Sequence, residues 1–523
     1  MSASDRNDDL FNASHWLLDR NVSEGRGDQV AVRYRQRSYT YAEVLADTEQ
    51  TAGALRAVGV VPEQRVAMAM LDSIEFVSVF LGAMRIGAVP LPMNPLLPGR
   101  DLGAITADSR ARVVVISGDR VQSAPDLLAA TSEVELLIVT EPADGTALEL
   151  PAAPDGVTVT RWSDFVAGEG DGSPYSTWGE SPGFWLCTSG STGRPKLAMH
   201  RHIDLKVTVD TYADQVLKIR PDDRFYSVGP MFHAYGLCNS LTFPFAIGAT
   251  SILVPTRPPT PTLVADVMTT ERPTLFFCIP TFYAALNAGD LPDDTFASAR
   301  LAASAAEPLP AETLERFRQR FGVTILDGIG STEMLHIYLS NTESMLKPGS
   351  SGVPVPGYDL ELIDESGNDQ VAGEPGELCV RGGSAATGYW CRNEQSRATF
   401  QGPWMHTGDL YDRGQDGFYT YLGRVDDMLR VGGEWVSPAE VEGVLIQHET
   451  VLEAAVVGER DDGGILRPIA FVIPIDGREV GTDELDGFCR QHLAGYKRPK
   501  RYEIVSELPK TATGKIQRFK LRR

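Results

Sequence analysis

The sequence predicts an α/β protein with a large, multilayered N-terminal domain, in which helices flank β-sheets, and a small, mobile α+β C-terminal domain. Three observations support this prediction. Short β-rich segments alternate with helical ones, the 523 residues exceed the usual size of a single hydrophobic core, and the turn-rich stretch 412–417 interrupts the later part of the chain. We therefore expect one domain over residues 1–424 and a second over residues 425–523.

Helices and strands alternate from the start of the chain. Thr40 and Glu43 form a capping-box pattern that predicts a helix ending at Gly59. The apolar stretch 76–92 is interrupted by Arg85 and is too short to span a bilayer, so it predicts a buried helix followed by a strand. Further buried strands are predicted at 65–70, 111–116, 135–140, 251–254 and 274–279. The stretch 141–183, rich in Gly, Pro and acidic residues, is predicted to cross the surface as a loop.

The composition of the chain indicates which binding partners, cellular location and cysteine chemistry to expect. The formal net charge of −22 argues against nucleic acid and anionic membranes, since phosphate-backbone binding depends on accumulated Lys and Arg. The polar, acidic N-terminal residues contain no apolar signal segment, so we expect a cytoplasmic protein. Six cysteines without C-x-x-C spacing favour reduced thiols over disulfides or zinc. A monomer and a homodimer both fit these patterns.

Residues 188–196, Thr-Ser-Gly-Ser-Thr-Gly-Arg-Pro-Lys, form a glycine-punctuated loop directly after the apolar run 184–187. We call it the phosphate loop, because glycines allow close backbone approach while N–H groups, hydroxyls and the lysine can bind phosphate oxygens. It lacks the Lys-Ser/Thr pair of a Walker A motif and the first glycine of a hydrolase elbow. A flexible Ser/Gly linker would lack the adjoining strand and the stiff Arg-Pro-Lys exit. The loop therefore predicts nucleotide binding.

The phosphate loop resembles the signature loop of the adenylate-forming superfamily, which includes acyl-CoA synthetases, luciferases and peptide-synthetase adenylation domains. Further blocks follow in the order of that superfamily at 328–333, 406–409, 423–427 and 513–515. Within the superfamily, the chain is most similar to benzoate–CoA ligases, at 19–28, 327–341, 435–438 and 508–518. The resemblance implies an ATP-dependent ligase that converts benzoate, or a substituted benzoate, to an aryl-adenylate and then to an aryl-CoA thioester. ATP, Mg²⁺ and coenzyme A would be required, and AMP and pyrophosphate released.

Other functions remain open at this stage. A stand-alone adenylation enzyme that loads an aromatic acid onto a carrier-protein phosphopantetheine would share every motif. A non-catalytic nucleotide-binding protein would not need both Glu333 and Lys515. A luciferase-like oxygenase would also share these motifs and would differ only in the product of its reaction.

The resemblance assigns residues to the adenylation step, in which charge builds up on phosphate oxygens and must be stabilised. Catalytic roles fall to Lys515, Glu333, His233 and Thr188, with Glu333 as the Mg²⁺ ligand. Asp409 is expected at the ribose and Arg424 at the phosphate or ribose. The full ATP/AMP set is Ser189, Gly190, Ser191, Thr192, Gly193, Lys196, Ala305, Ala306, Glu307, Asp327, Gly328, Thr332, Asp409, Arg424 and Lys515. As isolated residues, Glu333 would be interpreted as a helix-start glutamate and Lys515 as part of a solvated basic tail.

A flat, tight pocket for the aromatic acid is implied as well, and it would exclude long flexible chains. Its residues would be His233, Ala234, Tyr235, Gly330, His336 and Ile337. His233 stands where benzoate–CoA ligases usually carry an aromatic residue, and an imidazole there could bind a hydroxyl or amino substituent of the ring. The alternative is that Tyr235 and His336 are core residues whose polar tips are satisfied.

The C-terminal domain would act as a lid that brings Lys515 to one half-reaction and withdraws it for the other. The resemblance makes Asp426 the hinge, although by itself it is an ordinary turn aspartate. Candidates for coenzyme A contact are Gly432, Gly433, Lys497 and Arg498. The basic pair Lys497 and Arg498 fits a solvated surface equally well.

Overall fold

The computed structural model describes residues 10–168, 170–188, 195–364, 366–431, 434–461, 466–475, 478, 480–509 and 516–521. In these residues the strands are β1 (Val30–Tyr34), β2 (Arg37–Thr40), β3 (Arg65–Ala69), β4 (Val89–Pro92), β5 (Val113–Ile116), β6 (Leu136–Val139), β7 (Thr158–Arg161), β8 (Pro182–Thr188), β9 (Lys196–Arg201), β10 (Arg224–Ser227), β11 (Thr250–Leu253), β12 (Leu275–Cys278), β13 (Leu301–Ser304), β14 (Ile325–Gly330), β15 (Ile337–Ser340), β16 (Val353–Pro354), β17 (Tyr358–Ile363), β18 (Gly376–Gly382), β19 (Phe400–Gln401), β20 (Trp404–Arg413), β21 (Tyr419–Arg424), β22 (Leu429–Val431), β23 (Glu434–Val436), β24 (Val451–Arg460), β25 (Leu466–Pro474) and β26 (Arg501–Ile504).

The α-helices of the same residues are α1 (Ala13–Leu17), α2 (Asp19–Asn21), α3 (Tyr41–Ala57), α4 (Ile74–Arg85), α5 (Gly99–Ser109), α6 (Ala124–Ala129), α7 (Trp162–Val166), α8 (His202–Thr208), α9 (Ala234–Leu237), α10 (Phe243–Ile247), α11 (Pro261–Thr270), α12 (Pro280–Ala288), α13 (Ala311–Phe321), α14 (Asn393–Thr399), α15 (Pro438–Ile446) and α16 (Thr482–His492). Short π-helical segments occur at Val22–Arg26, Val209–Leu217 and Cys238–Thr242, and 3₁₀ turns at Gly118–Ser123, Val425–Asp427 and Arg518–Lys520.

Two largely parallel sheets build most of the N-terminal part. One has nine strands in the order β16-β15-β14-β13-β12-β10-β11-β1-β2, and the other has five in the order β4-β3-β5-β6-β7. The second sheet is parallel throughout, whereas β2, β15 and β16 join the first sheet antiparallel. Helices cover these sheets, as parallel sheets require on both faces. The predicted α/β class is confirmed.

The remaining strands form smaller sheets. Strands β8 and β9 make an antiparallel hairpin, and β17 to β21 make an antiparallel sheet. After the 3₁₀ turn Val425–Asp427, β22 pairs with β23, and β24, β25 and β26 form a three-stranded sheet with α15 and α16. This later part has its own buried apolar cluster, as an α+β unit needs. The boundary at residue 424 stays a prediction.

Most local predictions agree with the structure. Thr40 caps α3 in a reciprocal capping box with Glu43, and α3 ends before Gly59, which has a φ of +86°. The stretch 76–92 contains most of α4 and all of β4, and the five predicted buried strands correspond to β3, β5, β6, β11 and β12. None of the helices among the described residues is long and apolar enough to cross a membrane.

One prediction was wrong in part. The stretch 141–183 is not simply a surface loop, because it contains β7, α7 and the first residues of β8. Strand β7 pairs with β6 along its whole length and forms one edge of the five-stranded sheet. Its sequence, Thr-Val-Thr-Arg, is too short and too polar for its period to stand out against the surrounding glycines and prolines. Pairing with β6 therefore decides its conformation.

Arg85, which interrupts the apolar stretch, is almost fully buried at the end of α4. Its guanidinium donates to both carboxylate oxygens of Asp19, at 2.7 and 2.9 Å, to Glu49 at 2.8 Å and to the carbonyl of Gly172 at 2.6 Å. A buried charge is tolerated when its hydrogen-bonding groups are satisfied in this way. The arginine thus ties the N-terminal residues, α3 and the segment before β8 to α4.

Replacing Arg85 by methionine is expected to destabilise the fold by roughly 2 to 3 kcal/mol, because Asp19 and Glu49 would lose the cation that compensates their partial burial. Thermal unfolding of Arg85→Met measures this effect. Arg100→Met is the matched control, since the Arg100 side chain is 84% exposed. Equal unfolding midpoints for the two variants would show that the Arg85 cluster does not stabilise the fold.

Candidate active site

The hairpin β8–β9 brings the two ends of the phosphate loop together. Thr188 is the last residue of β8 and pairs with Lys196, the first residue of β9. The intervening Ser189, Gly190, Ser191, Thr192 and Gly193 lie outside the described residues, so their proposed phosphate contacts stay predictions. The hairpin accounts for the apolar run before the loop, because Phe184 and Leu186 are buried in the core.

Lys196 and Glu333 meet at Tyr389. The Lys196 ammonium lies 4.1 Å from the centre of the Tyr389 ring, and the Tyr389 hydroxyl donates to Glu333 Oε1 at 2.6 Å. Burial lowers the pKa of Lys196, and the neighbouring Glu333 carboxylate opposes this effect. Burial and Glu333 also raise the pKa of Tyr389, so that its hydroxyl stays protonated and able to donate. The site therefore holds a cation and a carboxylate on two parts of one tyrosine side chain.

Glu333 lies in a turn between β14 and β15, so the alternative that it begins a helix is wrong. Three successive carbonyls of this turn are held from elsewhere. His200 Nε2 contacts the Thr332 oxygen at 2.7 Å, the Ala386 amide donates to the Glu333 oxygen at 2.8 Å, and the Ser384 hydroxyl donates to the Met334 oxygen at 2.8 Å. A turn held at each residue presents its carboxylate in a fixed direction.

His200 is buried and stacks on Phe184 with ring centres 5.1 Å apart. Its Nδ1 lies 3.0 Å from Asp204 Oδ2, so that the two ring nitrogens face a carboxylate and the Thr332 carbonyl. Both partners accept hydrogen bonds, and Asp204 also receives the Arg201 side chain. His200 thereby connects β9 with the turn that carries Glu333.

The predicted adenine-side residues follow neighbouring parallel strands. Ala305 comes directly after β13, and Asp327 and Gly328 lie in β14, which pairs with β13. Asp327 is buried, which raises the pKa of its carboxyl well above the ordinary value. Ala306 has a φ of +79°, a conformation that favours glycine and is strained for alanine. Glu307 follows it and is half-buried.

The predicted ribose contacts lie on paired strands. Asp409 in β20 is the register partner of Arg424 in β21, and Arg424 Nη1 donates to Asp409 Oδ1 at 2.9 Å. Burial alone would lower the pKa of Arg424, but Asp409 raises it above the ordinary value. Arg424 also influences the pKa of Lys196, so the structure brings these charged groups into one region.

The predicted aryl pocket is built on the helical run from α9 to α10 and on the turn before β15. The His336 imidazole lies 5.5 Å from the Tyr235 ring, 4.9 Å from Tyr212 and 4.8 Å from Phe243, measured between ring centres. We call these four side chains the aromatic box. Ile337 and Ala234 are buried beside it. A Cβ at Gly330 would lie 2.4 Å from the His336 carbonyl oxygen, so glycine permits the close pairing of β14 and β15.

The alternative was that Tyr235 and His336 are core residues whose polar atoms have hydrogen-bond partners. It holds for Tyr235 but not for His336. The Tyr235 hydroxyl donates to the Ala303 carbonyl at 3.1 Å. Neither ring nitrogen of the buried His336 has a hydrogen-bond partner among the described residues. Burial lowers the pKa of His336 to about 3, so the imidazole is neutral, and a ligand or water at the pocket would be needed to satisfy it.

The loop before α9 is held by a buried ion pair. The Met231 amide donates to Asp72 Oδ1 at 2.9 Å, and Arg257 donates to Asp72 Oδ2 at 2.7 Å. His233 follows two residues later, half-buried, with its ring 4.6 Å from that of Phe232. Its predicted role in reading a ring substituent stays a prediction.

The predicted lid residues are described only in part. Asp426 lies in the exposed 3₁₀ turn between β21 and β22, and Gly432, Gly433 and Lys515 lie outside the described residues. Lys497 contacts both carboxylate oxygens of Glu440 at 2.7 Å, and Arg498 donates to the Leu493 carbonyl at 2.8 Å. These contacts favour a structural role for the basic pair.

Known proteins are similar to this chain over nearly its whole length. The family model of the AMP-binding enzymes matches residues 18–390, and the model of the AMP-binding enzyme C-terminal domain matches residues 440–515. The chain belongs to the AMP-binding enzyme family. A benzoate–CoA ligase of Thauera aromatica is 43% identical over 98% of this chain and 96% of its own length.

Solved structures support the assignment of this chain to the AMP-binding enzyme family. A benzoate CoA ligase from Burkholderia xenovorans LB400 is 41% identical and superposes with a TM-score of 0.89 over 98% of this chain and 100% of its own. An anthranilate CoA ligase in complex with anthranoyl-AMP is 36% identical, with a TM-score of 0.91 over 100% of this chain and 98% of its own. The two-domain adenylate-forming fold is therefore confirmed.

Mg²⁺ is implied by this family, and the donor set of the AMP-binding enzyme fits it. The described residues contain no group of three or more His, Cys, Asp and Glu side chains that could enclose a metal. Mg²⁺ is commonly held by one or two carboxylates together with substrate phosphates and water. Glu333 uses Oε1 for Tyr389 and is only half-buried, so its other oxygen is a suitable single ligand.

Sequence reasoning missed several residues that organise this site of the AMP-binding enzyme. His200 lies in β9 and Asp204 in the first turn of α8, so their contact depends on the junction between the strand and the helix. Tyr389, Tyr212 and Asp72 gave no local signal, because their partners are distant in sequence. All three meet the site through contacts that only the folded chain creates.

Replacing His336 by methionine is expected to flatten the pH dependence of stability on the acidic side. Because the folded-state pKa of about 3 lies below the unfolded value of about 6.5, the unfolded chain takes up a proton first as the pH falls. Below pH 6.5 the free energy of unfolding should therefore fall with pH more steeply in the wild type than in His336→Met. The difference in slope should be roughly 1 kcal/mol per pH unit.

Chemical unfolding at several pH values between 4.5 and 7.5 measures the difference. Ile337→Leu is the control, because it alters the neighbouring position without removing a titrating group. Parallel pH profiles for wild type and His336→Met would mean that His336 is not held neutral in the folded state.

Proposed function

We propose that this AMP-binding enzyme is an AMP-forming aryl-CoA ligase that activates benzoate or a small substituted benzoate. The observation that carries the proposal is the short turn 333–336. At one end it holds Glu333 beside Lys196 and Tyr389, and at the other it holds His336 inside the aromatic box. An aryl ring packed against that box would have its carboxylate close to the groups proposed to bind ATP.

The first half-reaction joins the carboxylate oxygen to the α-phosphorus of ATP and breaks the bond to pyrophosphate. Lys196 and the phosphate loop would stabilise the phosphate charge, and Lys515 would bind the carboxylate and α-phosphate oxygens. Asp409 would accept hydrogen bonds from the ribose, with Arg424 holding Asp409 in place. Glu333 would hold Mg²⁺, which supplies further charge neutralisation for the phosphates. No covalent bond to the protein is needed.

In the second half-reaction the thiol of coenzyme A attacks the acyl carbonyl, and AMP leaves. A thiol with a pKa near 8.5 has a useful thiolate fraction at neutral pH, so no strong protein base is required. Coenzyme A is favoured over a carrier protein as acceptor, because the similar full-length relatives are named CoA ligases. The proposal includes a cytoplasmic location, where ATP and coenzyme A are available, and a monomer or homodimer.

The aromatic box restricts the substrate class. The other three rings of the box contact His336, with centres 4.8 to 5.5 Å from its own. Such a packed aromatic wall would suit a flat ring stacked against it better than a long flexible chain. The two unpartnered nitrogens of His336 would be satisfied by water beside benzoate or by a hydroxyl or amino substituent. The named relatives act on benzoate and on anthranilate, which supports both classes.

The decisive measurement is release of AMP and pyrophosphate from ATP and Mg²⁺ with a panel of acids, each with and without coenzyme A. We expect benzoate or a small hydroxy- or aminobenzoate to give the highest kcat/KM, with cinnamate and a medium-chain fatty acid about 100-fold lower. Turnover should need coenzyme A. A single release of pyrophosphate per enzyme that coenzyme A does not accelerate would instead indicate carrier-protein loading.

Lys515→Ala is expected to slow aryl-adenylate formation by about 100-fold or more, because a cation at the developing charge is lost. The thioester step should remain near the wild-type rate when synthetic benzoyl-AMP and coenzyme A are supplied, since Lys515 is needed only for adenylation. Lys520→Ala, an exposed lysine of the same basic tail, is the control and should leave both rates unchanged. Equal losses in both half-reactions would contradict the assigned role.

A further inference from the structure

We propose that Tyr389 is a positioning residue for Mg·ATP, which keeps the Glu333 carboxylate and the Lys196 ammonium apart and aimed at the nucleotide. This inference rests on the proposed function. Tyr389 contacts the two groups with different parts of its side chain, the hydroxyl for Glu333 and the ring face for Lys196. One phenol therefore sets the position of both charges.

The geometry explains why a spacer is needed. Lys196 and Glu333 carry opposite charges close enough for each to affect the other, yet the described side chains form no direct Lys196–Glu333 ion pair. The Tyr389 hydroxyl takes up Glu333 Oε1 at 2.6 Å, and the ring attracts the ammonium at 4.1 Å by a cation–π interaction. Without these contacts the two charges would neutralise one another and be lost to the phosphates and the metal.

Tyr389 is itself rigidly placed. It is 4% exposed, and its backbone amide donates to the Ser396 hydroxyl at 2.9 Å. The flanking residues pair with β9, since the Met199 amide donates to the Gly388 oxygen at 3.0 Å and the Trp390 amide to the Leu197 oxygen at 2.9 Å. Because β9 begins at Lys196, the strand that carries the lysine also holds the tyrosine.

The same segment fixes the backbone of Glu333. Ser384 and Ala386, a few residues before Tyr389, hold the carbonyls of Met334 and Glu333. The segment 384–390 thus contacts Glu333 through both its backbone and its carboxylate. Partners of this kind, which orient a metal ligand without touching the metal, commonly change metal affinity by 10- to 100-fold when they are removed.

The test is Tyr389→Phe, which retains the ring over Lys196 and removes only the hydroxyl. Binding of ATP is measured by calorimetry with and without Mg²⁺ and in the absence of any aryl acid, so that no turnover occurs. Mg²⁺ is expected to increase the affinity of the wild type for ATP. In Tyr389→Phe we expect this increase to be about tenfold smaller, while the affinity for metal-free ATP stays at the wild-type level. The Mg²⁺ concentration for half-maximal pyrophosphate release should rise by a similar factor.

Two further measurements separate positioning from a general structural role. The thioester step from synthetic benzoyl-AMP and coenzyme A should keep its wild-type rate. Tyr41→Phe is the matched control, because Tyr41 is also buried and its hydroxyl donates to the carbonyls of Ala249 and Pro244, at 2.7 and 3.2 Å, rather than to a carboxylate. It should leave the Mg²⁺ dependence unchanged.

A double-mutant cycle with Glu333→Gln tests whether Tyr389 acts through the carboxylate. In the Glu333→Gln background, Tyr389→Phe should add no further change in Mg²⁺ dependence. Three outcomes would each overturn the inference. They are additive losses in the double mutant, an unchanged Mg²⁺ dependence in Tyr389→Phe, and a parallel loss of both half-reactions together with a lower unfolding temperature. Failure of the wild-type enzyme to release pyrophosphate with any aryl acid would instead contradict the proposed function, and the calorimetric comparison would still decide the role of Tyr389.

Discussion

The turn between β14 and β15 is the constraint on which the candidate site depends. It carries Glu333 at one end and His336 at the other, and its carbonyls are held by His200, Ala386 and Ser384. Leu335 within it has a φ of +67°, a strained conformation that persists because its neighbours fix the backbone on both sides. Loosening any one of these contacts would move Glu333 relative to the aromatic box, since only Met334 and Leu335 lie between Glu333 and His336.

The chain as a whole is strongly acidic, whereas the candidate site contains cations. The chain carries a net charge of −22, while ATP, the acid and coenzyme A are all anionic. Binding of these substrates would therefore depend on local cations, and Lys196, Arg424 and Lys515 are the proposed ones. Each described cation has a partner, the Tyr389 ring for Lys196 and Asp409 for Arg424, which places the charge before the substrate arrives. Such preorganisation avoids reorganisation during the reaction.

The aromatic box shows how specificity and stability are coupled. His336 is surrounded by Tyr212, Tyr235 and Phe243 and stays neutral because burial disfavours the imidazolium. Leaving both nitrogens without a partner lowers stability, and natural sequences tolerate this cost most often at functional sites. A core histidine with hydrogen-bonded nitrogens would have stabilised the fold more, and this cost is consistent with the proposed pocket.

The sequence by itself determined the features that depend on neighbours along the chain. The capping box of α3 and the buried strands of the parallel sheets follow from residue type and spacing, because caps and strand periods are local properties. Resemblance to a known family predicted roles for Glu333, Asp409, Arg424 and the pocket residues. It could not place β7, whose conformation depends on its partner β6. Only the tertiary structure brought Tyr389 to Glu333, Asp72 to Met231, and Tyr212 to His336, across 56, 159 and more than a hundred residues respectively. Such contacts are decided by how the sheets and helices pack, and side chains that meet only after packing carry no local pattern from which their role could be inferred.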